Sequence, residues 1–484
     1  MNWRFLISCA VAGTALSLGG CAAVSTPSNA SKPWTPPSGA EKQDRVWPEV
    51  RSNSVEAAKP MTLAELADLA LKNNPASRMA WLDARAAAEQ VVNARGYFMP
   101  TVTATMGANR QYMTAEPKQV GQMPMGSDYL KYGPGLQVNY LVLNFGGGYQ
   151  AAVEQALQTV YAADFAFNRT LQTILLNVES AYYGLISANA AVDAAESGVK
   201  DAQTALEAAQ ERNNSGMGTQ LEVLQAQTGY DQARYQLASA NGQFMIARGM
   251  LSQALNLPAD TLVRIIAPVE DVPAALKEQD LRQLIDDALN RRPDVAALRA
   301  QADAKQAAVK VANAENWPNL YLNGGLSRDI YDNLGSNPLQ DSDWAASAGV
   351  NLQWTIFNGL QTRSAKRIAE AQAESALENL KQAELAASAD VWARFYAYKT
   401  ALEKFTASQA YLKSSSAAYD LALDSYKAGL KSILDLLNAE TQLAQARSQQ
   451  IATRQEVFTA LANLAYSTGL LEKTGQKIEI NRSK

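Results

Sequence analysis

The sequence predicts an α+β membrane protein made from one duplicated unit, a pair of β-strands joined to a long helical hairpin. Three observations predict it: an internal repeat, two pairs of stretches alternating with period two, and two very long proline-free helical tracts. The repeat spans most of the 484 residues. Pro75 and Pro293, like Pro100 and Pro318, stand 218 residues apart, and Phe145 precedes Phe357 by 212. Gly216–Thr228 aligns with Gly429–Thr441 at an offset of 213. Repeats decide architecture, and two copies are too few for a solenoid, so the duplication lies inside one structure. The expected division is a secretory leader at 1–20, a tether at 21–60, a first repeat at 61–257, a linker at 258–280, a second repeat at 281–470 and a tail at 471–484.

The leader carries Arg4 and an apolar run from Phe5 to Leu18, with small residues before Cys21, the pattern of an export signal. Leu18-Gly19-Gly20-Cys21 resembles the bacterial lipobox, whose cysteine is lipidated after cleavage. Ala22 differs from the Asp that holds many lipoproteins at the inner membrane, so outer-membrane delivery is expected. Residues 22–60 are rich in Pro, Ser and Lys and read as an extended tether.

From Leu63 to about Arg95 the pattern is helical and dense in Ala; Pro100 ends it, and Pro318 does the same in the second copy. Strands are expected near 101–110, 134–145, 319–328 and 346–357. In the last, Val350, Leu352, Trp354 and Ile356 share one face while Asn351, Gln353 and Thr355 take the other. Leu136, Val138, Tyr140 and Val142 oppose Gln137 and Asn139 in the same way. Each stretch is about ten residues, the length of a tilted transmembrane strand with a lipid face and a wet face. A soluble sheet with one buried face shows the same alternation; the export leader shifts the reading toward a membrane barrel. Four strands cannot close a barrel, and open edges are not tolerated in lipid. Three or more chains therefore pool their strands, three giving twelve, or the sheet lies outside a membrane. Gly146-Gly147-Gly148 follows a strand and opens a helix, as phosphate loops do, but no Lys-Ser/Thr follows it, which favours a sharp strand-to-helix hinge.

Proline-free tracts run from about Gln150 to Arg212 and from Gly359 to Lys427. At 1.5 Å per residue each reaches roughly 90–100 Å. Short breaks at Asn213–Thr219 and Ala428–Ser432 lead into return helices of about 35 residues. The first carries a heptad through Val223, Ala226, Tyr230, Ala233, Leu237, Ala240, Phe244, Ala247, Leu251 and Ala254. Leu436, Ala439, Leu443, Ala446 and so on to Leu464 repeat it. Large alternates with small, as close antiparallel knobs-into-holes packing requires.

Composition removes several function classes. Forty-three basic against 47 acidic residues leave a net charge of −4, without the basic stripe of a nucleic-acid binder. No His and two Cys, one of them in the leader, exclude zinc sites, Ser–His–Asp triads and Cys–His pairs. No clustered acidic pair suggests a carboxylate-only enzyme. The expectation is a non-enzyme without cofactor or metal.

With export, duplication, strand pairs and heptad hairpins in place, the chain resembles the TolC family of outer-membrane efflux channels. Asn290-Arg291-Arg292-Pro293-Asp294, the Pro-ended helices, the Phe-Gly and Phe-Asn-Gly strand exits and the helical tips carry the resemblance over nearly all of 60–470. A lipidated Cys21 matches the acylated subgroup. The resemblance implies a homotrimer in the outer membrane of a Gram-negative bacterium, a twelve-stranded β-barrel continued by a twelve-helix periplasmic α-barrel. It implies a periplasmic adaptor and an inner-membrane transporter as partners, which supply the energy.

A gate is expected where the helices taper. The family's second tip carries Gly-Thr-Arg-x-x-x-Asp-Val-Leu-Asp-Ala preceded by a latching Tyr. Here Tyr426 and Asp435 match, Lys431 replaces the Arg, and Asn438 stands where an acid often lines the pore. Glu222 takes the acidic place on the first tip. The implied latch sets Lys431 and Tyr426 against Glu222 or backbone groups of neighbouring hairpins; a solvated helix end is the plain alternative. Gly216, Gly218, Thr219, Gly429 and Ser432 are the expected adaptor contacts. The expected function is a passive exit duct for small toxic compounds in a tripartite efflux system. The alternatives are a duct for one-step polypeptide secretion and a lipid-anchored coiled-coil scaffold without a pore.

Overall fold

The computed structural model describes residues 60–115, 125–266, 272, 276, 280–333 and 340–471, all within one unit, Ala57–Lys484. Cys21, the leader and the tether up to residue 59 lie outside the described residues, as do most of 267–279 and the tail after Leu471.

Each copy runs helix, helix, strand, strand, long helix, return helix. The first comprises α1 (Leu63–Asn73), α2 (Pro75–Gly96), β1 (Thr101–Ala115), β2 (Met125–Asn144), α3 (Gly148–Asn214) and α4 (Gln220–Ala254). The second comprises α5 (Asp280–Arg291), α6 (Pro293–Ala314), β3 (Asn319–Asn333), β4 (Gln340–Gln353), α7 (Gln361–Lys427) and α8 (Ile433–Ser467). Both long helices have 67 residues and both return helices 35.

The helical run expected from Leu63 to Arg95 is broken. The residue before a proline is driven out of the helical region, and Asn74 is extended (φ −76°, ψ 122°), its side chain accepting from Ala76 N to start α2. Arg292 plays the same part before Pro293 (φ −63°, ψ 120°).

The four strands form one antiparallel sheet in sequence order, so β1 and β4 are its edges. They run 14 to 20 residues, longer than the expected ten. The stretch expected to reach residue 357 stops at Gln353, which pairs with Asn319. Pro318, one step beyond, has no N–H with which to continue the ladder, and the Trp354 indole instead donates to Asn316 O at 3.1 Å.

The register fixes both faces. Val102 pairs with Val138, Leu136 with Leu326, and Leu322 with Val350, on an apolar face left exposed. Thr103, Gln137, Gly325 and Ser347 form one row of the opposite, polar face.

The expected hinge is present: Gly147 is left-handed (φ 66°) and caps α3. Asn144 Oδ1 accepts from Gly148 N at 2.6 Å, and a Cβ on Gly148 would lie 2.7 Å from the Ala314 methyl, so α6 packs directly against this corner. Beyond it, α3 packs on α1, α2, α4, α6 and α8. The heptad is the packing stripe: Ala226, Ala233, Leu251, Leu436, Leu443, Ala446, Val457 and Leu464 are buried. Cores repeat with the chain. Ile174, Val178 and Tyr182 of α3 meet Leu66, Ala70, Leu251 and Leu255, while Val391, Phe395 and Tyr398 of α7 meet Leu281, Leu284, Val457 and Leu464. A third core at the far end joins α3, α4, α7 and α8.

Candidate functional site: the helical tips

Both tips are built the same way. At the first, Met217 N and Gly218 N donate to Arg212 O at 2.9 Å, and Gly216 takes the left-handed turn (φ 72°) that lets α3 end. At the second, Leu430 N donates to Ser425 O at 2.8 Å and Gly429 has φ 77°. Thr219 and Ser432 then cap the return helices, accepting from Glu222 N and Asp435 N at 3.3 Å. In the second tip the capping box closes: Ser432 N and Oγ donate to Asp435 Oδ2 at 3.1 and 2.8 Å. Those bonds hold the exposed Asp435 carboxyl below its ordinary range.

The residues singled out in the sequence fall into two groups. Tyr426 is fully buried and its hydroxyl donates to Glu222 Oε2 at 2.9 Å, joining the end of α7 to the start of α4. Burial first, then the Glu222 carboxylate, pushes the phenol up to about 12, with Arg212 opposing. By contrast Lys431, Asp435 and Asn438 are exposed, as are Gly216, Thr219, Gly429 and Ser432, while Gly218 is half-buried. Lys431 does not meet Glu222 within the chain.

The cation beside Tyr426 is Arg212, which sequence reading missed. Its guanidinium carbon lies 4.8 Å from the Tyr426 ring centroid. Nη1 donates to Tyr426 O at 2.5 Å and Nη2 to Met217 O at 3.2 Å, tying both tips together. Arg212 aligns with Ser425 and Tyr426 with Asn213, so each copy supplies one half of the contact. The available signal was an arginine in the last turn of α3 where the other copy has none.

A second polar cluster sits behind the tips. Arg447 of α8 pairs with Asp201 of α3 at 2.6 Å, and the Tyr419 hydroxyl of α7 donates to Asp201 O at 3.1 Å. Glu440 of α8 is packed among them with Oε2 buried and without a partner; burial first, then Asp201, raises its carboxyl to about 7.

The Asn290–Asp294 motif lies at the other end of the return helices. Arg292, buried, pairs with Asp294 at 2.8 Å and Asp390 at 2.9 Å and donates to Ser467 O, locking the α5–α6 corner onto α7 and α8.

A four-stranded sheet with an exposed apolar face, continued by two long antiparallel hairpins whose tips interlock, is the fold shared with solved outer-membrane channels. The chain belongs to the outer membrane efflux protein family, whose model matches residues 66–257 and 284–470. It is 30% identical over 413 residues to protein CyaE of Bordetella pertussis, covering 84% of this chain and 83% of that one. It is 26% identical over 493 residues to the probable efflux pump outer membrane protein TtgC of Pseudomonas putida, covering 98% and 97%. Among solved structures, the outer-membrane channel OprN shares the fold at a TM-score of 0.70 with 23% identity, covering 84% of this chain and 89% of that one. The chain is an outer-membrane duct of an efflux system, and its family and fold are those of channel proteins.

Proposed function

We propose that three copies assemble into a duct in which twelve strands form a β-barrel across the outer membrane and the long hairpins form a periplasmic helical barrel. The observation that carries this is the pair of open edges, β1 and β4, on a sheet with one exposed apolar face. Unpaired edges are not viable in lipid. β4 of one copy runs antiparallel to β1 of the next, so closure continues the ladder without a break in sense. Among the described residues no helix is long and apolar enough to cross a membrane.

In this reading the tips are the gate. Tyr426, Arg212 and Glu222 hold the hairpins of one chain together, while Lys431, Asp435 and Asn438 stand exposed for neighbouring copies or the pore. The loops from Gly216 to Thr219 and from Gly429 to Ser432 face a periplasmic adaptor, which couples the duct to an inner-membrane transporter. Cys21 carries the acyl anchor. The cargo class is small toxic compounds, a reading supported by the names of the antibiotic efflux pump protein ArpC and the toluene efflux pump protein TtgC of Pseudomonas putida. Purified full-length protein is expected to cross-link as a trimer in detergent and to open discrete channels in planar bilayers. A monomer, or a trimer without conductance, as a coiled-coil scaffold would show, overturns the proposal.

A further inference from the structure

The polar face of the sheet is not uniform. Near the helices its rows are uncharged, as in Thr103, Gln137, Gly325 and Ser347 or in Leu141, Tyr321 and Asn351. At the end remote from the helices, charge arrives. Lys131 Nζ of β2 pairs with Asp329 Oδ2 of β3 at 2.9 Å and lies 5.7 Å from the Tyr331 ring centroid. The Tyr129 ring meets Tyr331 edge-on at 5.6 Å, and its hydroxyl donates to Gln111 Oε1 of β1 at 2.6 Å. β4 completes the layer with Asp343, directly opposite Asp329.

Stability does not account for this layer. Exposed ion pairs contribute only about 0–1 kcal/mol, and like charges directly opposite in a sheet destabilise it. The contacts do fix where charge and ring faces stand. Lys131 and Asp329 neutralise each other, and no cation among the described residues pairs with Asp343, which is exposed. Asp343 therefore stands on this face without a cation from its own chain among the described residues, diagonal to the Tyr331 position.

We propose that this layer is a selectivity filter at the outer end of the duct, with Asp343 as the residue that makes it favour cations. The inference rests on the trimeric-barrel reading, in which the polar face lines the lumen and three Asp343 carboxylates form a ring. Rings of acidic side chains impose cation preference by the field they hold across a narrow, wet path. The filter is built into the sheet, so it stays in place whether the helical tips are closed or open.

The test is the reversal potential of single channels of the full-length protein under a KCl gradient, in the otherwise native chain and with Tyr426→Phe, which is designed to loosen the tips. Asp343→Asn is expected to lower the potassium-over-chloride permeability ratio about twofold or more, and Asp343→Lys to lower it further. Asp332→Asn, on the other face of β3, is expected to leave the ratio unchanged. Conducting channels whose ratio ignores both Asp343 substitutions overturn the filter while leaving the duct intact, as does an equal shift from Asp332→Asn. Absence of any channel in the native protein overturns the duct and the filter together.

Discussion

The Tyr426 hydroxyl donates to the Glu222 carboxylate at 2.9 Å across 204 residues of sequence, joining the end of one long helix to the start of the other hairpin's return helix. The donor is buried and the acceptor half-buried, so the bond is shielded where the neighbouring helix ends are wet. A hydrogen bond to a charged acceptor contributes about 1.5–3 kcal/mol, and 1.4 kcal/mol is about tenfold in an equilibrium. Tyr426→Phe keeps the ring and removes the donor. Its expected effect in planar bilayers is a several-fold rise in open probability or conductance; unchanged currents remove Tyr426 from the gate.

Arg212 grips two carbonyls and a ring at once, which a lysine cannot reproduce. Arg212→Ala is expected to speed hydrogen exchange in 212–220 and 426–434, and Arg212→Lys to recover only part of the protection. Full recovery by lysine assigns the residue a charge role alone.

Lys431 separates contacts within a chain from contacts between chains. It has no Glu222 contact within the chain, so Lys431→Ala alone is expected to leave exchange at the tips of an isolated chain unchanged. Added to Tyr426→Phe in the assembled channel, it is expected to raise conductance further. No added effect removes Lys431 from the latch.

Glu440 makes the hairpin interface pH-sensitive. Its folded carboxyl titrates near 7, well above the ordinary carboxylate range, so the folded state holds the proton more tightly. The sign follows: relative stability is greatest below the unfolded pKa and is lost as pH rises through about 7. Ionisation there faces Asp201 from α3 and Tyr419 from α7, with Arg447 already committed to Asp201. Melting temperature is expected to fall between pH 5 and 8, and Glu440→Gln to flatten that slope. A native slope identical to that of the Gln variant contradicts it.

Arg292→Ala removes the cation shared by Asp294 and Asp390, leaving Arg169 at 3.7 Å from the first and Arg394 at 3.2 Å from the second. Losing a hydrogen bond to a charged group costs about 1.5–3 kcal/mol, and the partial exposure of both carboxylates reduces it. The melting temperature is expected to drop by several degrees with single-channel selectivity unchanged, which tests a structural role; altered selectivity with native stability contradicts it.

Much of the architecture was legible because it is periodic. The heptad from Val223 to Ala254 names the stripe that packs, and alternation in 134–145 names the strand's two faces, whereas the break at Asn74-Pro75 divides a run read as continuous. Boundaries were less legible. β4 ends at Gln353 because its partner strand runs into Pro318, a fact of pairing that residues 354–357, still alternating, do not carry. At the site, Tyr426 and Glu222 were both singled out as partners, but Arg212 was not, because its target is a backbone carbonyl 214 residues away and carbonyls carry no sequence signal.

The sequence by itself determined the duplication, the helix-and-strand order, the hairpin tips and the family, because local periodicity, turn residues and motif spacing are written along the chain. Only the tertiary structure decided which charges meet. Arg212 lies over Tyr426, Arg447 takes Asp201 rather than Glu440, and Lys131 takes Asp329 rather than Asp343. Pairing depends on distances between elements hundreds of residues apart, and packing of the two copies against each other sets those distances.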